Sequence, residues 1–167
     1  ADASGGGISG LTGLVENASI WLGNDPSGTT STAESNVAVG AEALDALTTG
    51  DNNVALGWNA LTAATTASSN VAIGRDAMRT SENGLANIAI GQYAADVCSS
   101  GQYNIILGSA AGDSMTTGTY NIGIGSTTLS DALTGHSNVA IGRHSGERMT
   151  GGYNNVWVVD TETGYVR

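Results

Sequence analysis

The chain has 167 residues, the length of one ordinary domain, and its 25 Gly, single Pro and absent Phe set it apart from most globular proteins. Aromatic residues make up only 5%, which argues against a core built on large rings, whereas evenly placed aliphatic residues argue against disorder. A net charge of −10 with no Lys excludes a basic surface for nucleic acid or acidic lipid, and no apolar run reaches the ~20 residues of a transmembrane helix.

Residues 1–18 are rich in Gly and small polar residues, and we predict that they form a lead-in segment. The chain starts without an initiator Met or a signal peptide, so we expect a processed product or a fragment of a longer protein. Residues 19–159 carry the repeat described next, and residues 160–167 are predicted to run out of its last coil.

A repeat of 17 residues without insertions dominates the rest of the chain. Each repeat opens with Asn, counted here as position one, followed by aliphatic, small, aliphatic and Gly residues, as in NVALG at 53–57. Ser19 begins an equivalent phrase, SIWLG, one repeat earlier. The pattern predicts an all-β fold, a parallel β-solenoid of nine coils in which each phrase is a strand and the Asn amides form a ladder. The ladder residues are Asn36, Asn53, Asn70, Asn87, Asn104, Asn121, Asn138 and Asn155.

Alternation along each strand phrase divides its side chains between two faces. Positions two and four are always Val, Ile or Leu, and we predict that they fill the interior of the coil, together with Cys98 at position twelve. Position three then points outward, and its apolar residues indicate a dry contact on the axis of an oligomer; an exposed face that tolerates Ala is the alternative. The predicted axis residues are Trp21, Ala38, Ala55, Ala72, Ala89, Ile106, Gly123, Ala140 and Trp157.

Aromatic and planar polar residues recur at positions six and seven, just after the strand Gly. Rings that stack on a pyranose face, beside polar groups that reach its hydroxyls, suit sugar binding. An aromatic ladder that stiffens the turn is the alternative for Tyr103 and Tyr120, which share position seventeen on neighbouring coils. The candidate ligand residues are Trp58, Tyr93, Arg75, Arg143, His144, Tyr103 and Tyr120.

The motifs of common catalytic and metal sites are missing from the sequence. It has no CxxC, HExxH or Gly-x-Ser-x-Gly, and neither His136 nor His144 has a metal-type partner four residues away. Asp45, Asp96 and Asp113 share position ten, where stacked carboxylates could recruit a cation, although turn caps are the interpretation we favour. We therefore expect no enzymatic activity, no metal and no cofactor.

The NVAIG-type phrases, each followed by a turn of small residues, resemble the left-handed parallel β-roll heads of trimeric autotransporter adhesins, the YadA-like group. The sequence NVALGWNALTAATT at 53–66 looks closer to repeats of phage tail-fibre proteins, and SIWLGNDPSGTT at 19–30 is similar to the openings of such fibres. The resemblance implies a left-handed coil and a parallel homotrimer with position three on the shared axis. The 17-residue period departs from that of the adhesin heads, so the resemblance does not extend to the outer turn.

These observations lead us to expect a non-catalytic, trimeric fibre or spike segment of a phage tail, located in the virion. Its expected partners are two further copies of the chain, neighbouring fibre segments and a host cell-surface glycan, without nucleic acid or membrane insertion. The head of a bacterial trimeric adhesin, exposed at the cell surface, is the first alternative. A glycan-binding or ice-binding solenoid is the second, although adjacent pairs such as Thr48 and Thr49 point to opposite faces and do not build a flat Thr array.

Overall fold

The computed structural model describes residues 13–16, 18–23, 32–131 and 134–158, and within them ten strands form a single sheet in chain order. From β2 onward the strands are parallel, and each residue pairs with the residue 17 positions later, as Ile20 does with Val37. The predicted all-β parallel solenoid with 17-residue coils is therefore confirmed, as nine parallel strands joined by eight turns. The strands are β1 (Gly13–Glu16), β2 (Ser19–Leu22), β3 (Val37–Val39), β4 (Val54–Leu56), β5 (Val71–Ile73), β6 (Ile88–Ile90), β7 (Ile105–Leu107), β8 (Ile122–Ile124), β9 (Val139–Ile141) and β10 (Val156–Val158).

Strand β1 closes the N-terminal end of the sheet. It runs antiparallel to β2, with Gly13 opposite Leu22 and Glu16 opposite Ser19. This strand lies inside the segment predicted as a lead-in, so that part of the prediction missed an element of the fold. The predicted C-terminal run-out, residues 160–167, lies outside the described residues, as does most of the lead-in.

The structure reverses the two faces that the sequence analysis assigned to each strand. Position three lies inside the coil, where eight of its nine residues are buried and the ninth is half-buried. The side chains at positions two and four lie outside, and each of them is half-buried or exposed. The prediction of an oligomer axis at position three is therefore wrong for Trp21, Ala38, Ala55, Ala72, Ala89, Ile106, Gly123, Ala140 and Trp157.

The narrow interior of a 17-residue coil explains this reversal. Ala60, Leu61 and Ala64, at positions eight, nine and twelve, are fully buried and share the interior with Ala55. These side chains leave room for little more than a methyl group on the strand, so the larger residues at positions two and four must face outward. Cys98 lies in this interior as predicted, and burial raises the pKa of its thiol to about 11.

Positions three and nine compensate for each other in size. Ile106 replaces the usual Ala at position three, and position nine of the same coil is then Gly112, where an added Cβ would lie 3.4 Å from Ile106 Cγ2. In the next coil the order is inverted, because an added Cβ at Gly123 would lie 3.2 Å from Leu129 Cδ1. The two positions therefore fill one shared volume at native packing density.

We expect Ile106→Ala to lower the free energy of unfolding by about 3 kcal/mol, because it removes buried carbons and leaves a cavity. Adding Gly112→Leu should recover part of this loss, since the double variant recreates the pairing of Ala55 with Leu61. Urea unfolding of both single variants and of the double variant measures the coupling. Additive effects of the two substitutions would contradict a shared volume.

The predicted amide ladder is present along the whole solenoid. Asn53 Nδ2 donates to Asn36 Oδ1 at 3.0 Å and to the carbonyl oxygen of Ala67 at 2.8 Å, and the Asn53 backbone N–H donates to the same Asn36 Oδ1 at 2.9 Å. The Asn-to-Asn bonds repeat at every coil as far as Asn155, and Ser19 Oγ accepts the backbone N–H of Asn36 at the start. Each amide thus joins two coils and also ties the strand to the return turn of its own coil.

Candidate functional site: an aliphatic sheet face and an aromatic corner

The outer face of the sheet carries two continuous columns of aliphatic side chains. They extend over nine parallel strands, or about 38 Å at the usual strand spacing of ~4.8 Å. A strip of this length is unusual on a chain that has no partner, because soluble monomers rarely expose large contiguous apolar patches. The strip consists of Ile20, Val37, Val54, Val71, Ile88, Ile105, Ile122, Val139 and Val156 at position two, with Leu22, Val39, Leu56, Ile73, Ile90, Leu107, Ile124, Ile141 and Val158 at position four.

The corner that follows the strand brings together three of the predicted ligand residues. Trp58, Arg75 and Tyr93 lie on three successive coils, and the guanidinium of Arg75 lies over the Tyr93 ring at 4.8 Å from its centroid. Arg75 also donates a hydrogen bond to the Tyr93 hydroxyl. The Trp58 side chain is 47% exposed and has no ring partner among the described residues, so a face of its indole is open to a ligand. We call these three residues the aromatic corner.

A buried carboxylate supports the aromatic corner from the interior side. Asp76 is nearly fully buried, and its Oδ2 lies 3.3 Å from Arg75 Nε. Asn59 Nδ2 donates to Asp76 Oδ1 at 3.1 Å, which fixes the other carboxylate oxygen. The Arg75 side chain is 47% exposed at the other end of this contact, so a positive charge is presented to solvent next to the Trp58 ring.

The position-ten carboxylates are held by the chain itself. Arg79 forms a forked contact with Asp96, with Nε at 2.9 Å from Oδ1 and Nη2 at 3.1 Å from Oδ2, and this contact raises the pKa of Arg79. The pKa of Asp113 is raised by burial. Asp96 is therefore an ion-pair partner instead of the solvated turn cap that we favoured. The described residues contain no group of three His, Cys, Asp or Glu placed to hold a metal ion.

Arg143 and His144 do not join the aromatic corner. They occupy the same two positions of the repeat but lie three coils beyond Tyr93, about 14 Å away at ~4.8 Å per coil. His144 Nδ1 lies 2.9 Å from Glu147 Oε2, and both side chains are well exposed. The ridge predicted from the sequence is thus divided into two separate groups, of which only the first contains aromatic rings.

Tyr103 and Tyr120 form a parallel stack at the corner that precedes the strand. Their ring centroids are 4.9 Å apart and their planes differ by 7°. The rings cover each other's faces, so the aromatic-ladder interpretation is the one that fits, and stacking of a sugar between these residues is disfavoured. A second pair, His136 and Tyr153, stacks at 5.4 Å on the following coils. Sequence reasoning missed this pair, although the spacing of 17 residues between its members could have revealed it.

No family model matches the chain, and no curated protein or solved structure is significantly similar to it. In the parts of the chain that the structure describes, no helix is long and apolar enough to cross a membrane. The two features that call for a functional explanation are therefore the aliphatic strip and the aromatic corner.

Proposed function

We propose that the chain is a non-catalytic segment of a trimeric fibre or spike, of the kind found in phage tails, and that the aliphatic strip lies on the trimer axis. The strip is the single observation that carries this proposal, because its burial by two further copies removes the largest apolar surface from water. A strip two columns wide suits a closed ring of three, since each column can contact a different neighbour. The left-handed coil and the parallel arrangement of chains are part of the proposal through the resemblance to fibre and adhesin repeats.

The mechanical demands of a fibre fit the contacts within the chain. Each coil is joined to the next by parallel strand pairing and by an Asn bond, as between Asn70 and Asn87 at 3.1 Å. Hydrogen bonds of both kinds run along the solenoid axis, so a pull on the fibre is shared by many bonds in every coil. The net charge of −10 keeps the outer surface of such an assembly soluble.

We expect the chain to sediment at three times its mass of 16.6 kDa, and we expect Ile90→Asp to convert it to monomers. The new carboxylate would be buried without a partner in the centre of the strip. Val97→Asp is the matched control, because Val97 is 38% exposed, like Ile90 at 39%, but lies at position eleven, away from the sheet. Sedimentation equilibrium checks all three proteins. A monomeric wild-type chain, or an Ile90→Asp trimer, would contradict the axis.

We further propose that the aromatic corner contacts a glycan of the host surface. The open indole face of Trp58 can stack on a pyranose ring, and Arg75 lies one coil away to bind a hydroxyl or an acidic substituent. Both side chains lie beyond the edge of the strip and so stay accessible in the proposed trimer.

Trp58→Ala is expected to weaken binding to bacterial surface polysaccharide about tenfold, which corresponds to ~1.4 kcal/mol of lost stacking. Tyr120→Ala serves as the control, since Tyr120 is exposed but stacked on Tyr103. Binding of both variants and the wild type to an array of purified polysaccharides provides the measurement, with sedimentation as a check of assembly. Equal binding by Trp58→Ala and the wild type would remove Trp58 from the site.

A further inference from the structure

The return turn between β5 and β6 contains a chemically sensitive pair, Asn83 followed by Gly84. Asn83 is exposed and occupies position fourteen, where other coils carry Thr or Ser, including Thr66 and Ser100. Gly84 occupies position fifteen, where an added Cβ would overlap Ser81 Oγ. This turn therefore requires Gly at position fifteen, and only this coil places an exposed Asn directly before it.

The backbone nitrogen of Gly84 is free to react. Its carbonyl oxygen accepts hydrogen bonds from the Ser68 backbone N–H at 3.1 Å and from Asn70 Nδ2 at 2.9 Å, whereas its own N–H has no partner among the described residues. Because Gly has no side chain, nothing shields this nitrogen from the preceding residue.

The side-chain amide of Asn83 is oriented and polarised. Its Oδ1 accepts a hydrogen bond from Thr66 Oγ1 at 2.6 Å, while its backbone N–H donates to the carbonyl of Ser99 at 3.2 Å. A hydroxyl that donates to the amide oxygen makes the attached carbon more electrophilic, and it stabilises the negative charge that develops on this oxygen during attack.

We propose that Asn83 is a site of spontaneous self-modification through a cyclic imide with Gly84. The Gly84 nitrogen loses its proton to solvent base and bonds to Asn83 Cγ, the bond from Cγ to the amide nitrogen breaks, and ammonia leaves to solvent. Water then opens the imide at either carbonyl and gives aspartate or isoaspartate. The reaction needs no oxidant, reductant or cofactor, and Thr66 Oγ1 acts as the oxyanion donor.

Either product changes this one turn of the solenoid. Isoaspartate adds a methylene to the main chain, which displaces the Gly84 carbonyl from Asn70 Nδ2 and so weakens the ladder at this coil. Aspartate keeps the backbone but adds a negative charge beside Glu82 in a chain that already carries −10. The age of the protein would thus be recorded in one return turn.

The experiment is incubation of the folded protein in mildly alkaline buffer, followed by peptide mapping and an enzymatic assay for isoaspartate. We expect conversion at Asn83 and none at Asn52. Asn52 is also exposed, but the backbone nitrogen of the next residue, Asn53, donates to Asn36 Oδ1 and cannot attack. Asn83→Gln should abolish the conversion at this turn, because the longer side chain forms a less favourable ring.

Thr66→Val is the variant that tests the oxyanion donor. It should slow conversion about tenfold, the effect of one lost hydrogen bond in the transition state. An unchanged rate in Thr66→Val would overturn the role of the hydroxyl. Intact Asn83 in the folded protein, over a period in which the urea-unfolded chain converts, would overturn the site itself.

Discussion

Gly91→Ala is expected to lower the free energy of unfolding by about 4 kcal/mol, the largest effect of a single added methyl group in this chain. Gly91 ends β6 with φ +138°, a conformation that residues with a Cβ rarely adopt, and the new Cβ would lie 2.6 Å from the carbonyl carbon of Gly108. The backbone of neither coil can move aside, because the N–H groups of Gly91 and Gly108 donate to Ile73 and Ile90 at 2.8 Å.

Urea unfolding of Gly91→Ala and of a matched variant measures this effect. Gly151→Ala is the control, since its φ is not in the left-handed region and its added Cβ would have Thr134 Oγ1, at 3.5 Å, as its nearest neighbour. The control should stay within about 0.5 kcal/mol of the wild type. If Gly91→Ala unfolded at the wild-type urea concentration, the close approach of successive coils at this corner would be wrong.

Asn87→Asp is expected to cost about 3–5 kcal/mol at neutral pH, although it changes neither the shape nor the volume of the side chain. Asn87 Nδ2 donates to Asn70 Oδ1 at 3.1 Å and to the Gly101 carbonyl at 2.8 Å, and the residue is buried. A carboxylate oxygen in place of Nδ2 would face two acceptors and would lose both hydrogen bonds. The charge would also be buried without a cation.

The cost should depend on pH with a defined sign. The folded state would raise the pKa of the carboxyl group introduced by Asn87→Asp above its ordinary value of about 4, since only the protonated acid can donate a hydrogen bond to these acceptors. The destabilisation is therefore full above the folded-state pKa and shrinks as pH falls towards the ordinary value.

Thermal melts at neutral and mildly acidic pH test this dependence. Asn52→Asp is the control because Asn52 is exposed and only its backbone N–H is bonded, to the Glu34 carbonyl. It should change stability by less than about 0.5 kcal/mol at either pH. A pH-independent loss in Asn87→Asp would argue against the donor role of Nδ2 in the ladder.

The repeat period, the strands and the ladder were predictable because a fixed spacing of 17 residues places equivalent residues beside each other. The direction of the strand faces was not, because alternation shows that positions two and four share a face but not which face is inside. A usable signal was present. Ile106 with Gly112, and Gly123 with Leu129, balance in size only if positions three and nine share one interior.

The candidate site was predictable in part for the same reason. Columns of the repeat placed Arg75 next to Tyr93, and Trp58 stood out because no interior position could hold it. The burial of Asp76 beneath Arg75 was not predictable, since it depends on the local path of the turn. Strand β1 was missed because it pairs antiparallel and has no place in the 17-residue phase.

The two ends of the sheet differ, and this gives the solenoid a direction of unfolding. Each strand contacts only its neighbours one coil away, so the chain behaves as a zipper of short-range contacts that can open coil by coil. At one end β1 covers the edge of β2, whereas the outer edge of β10 has no partner among the described residues. Fraying should therefore start at Val156–Val158 and travel towards the N-terminus, leaving the coils around Trp58 among the last to open.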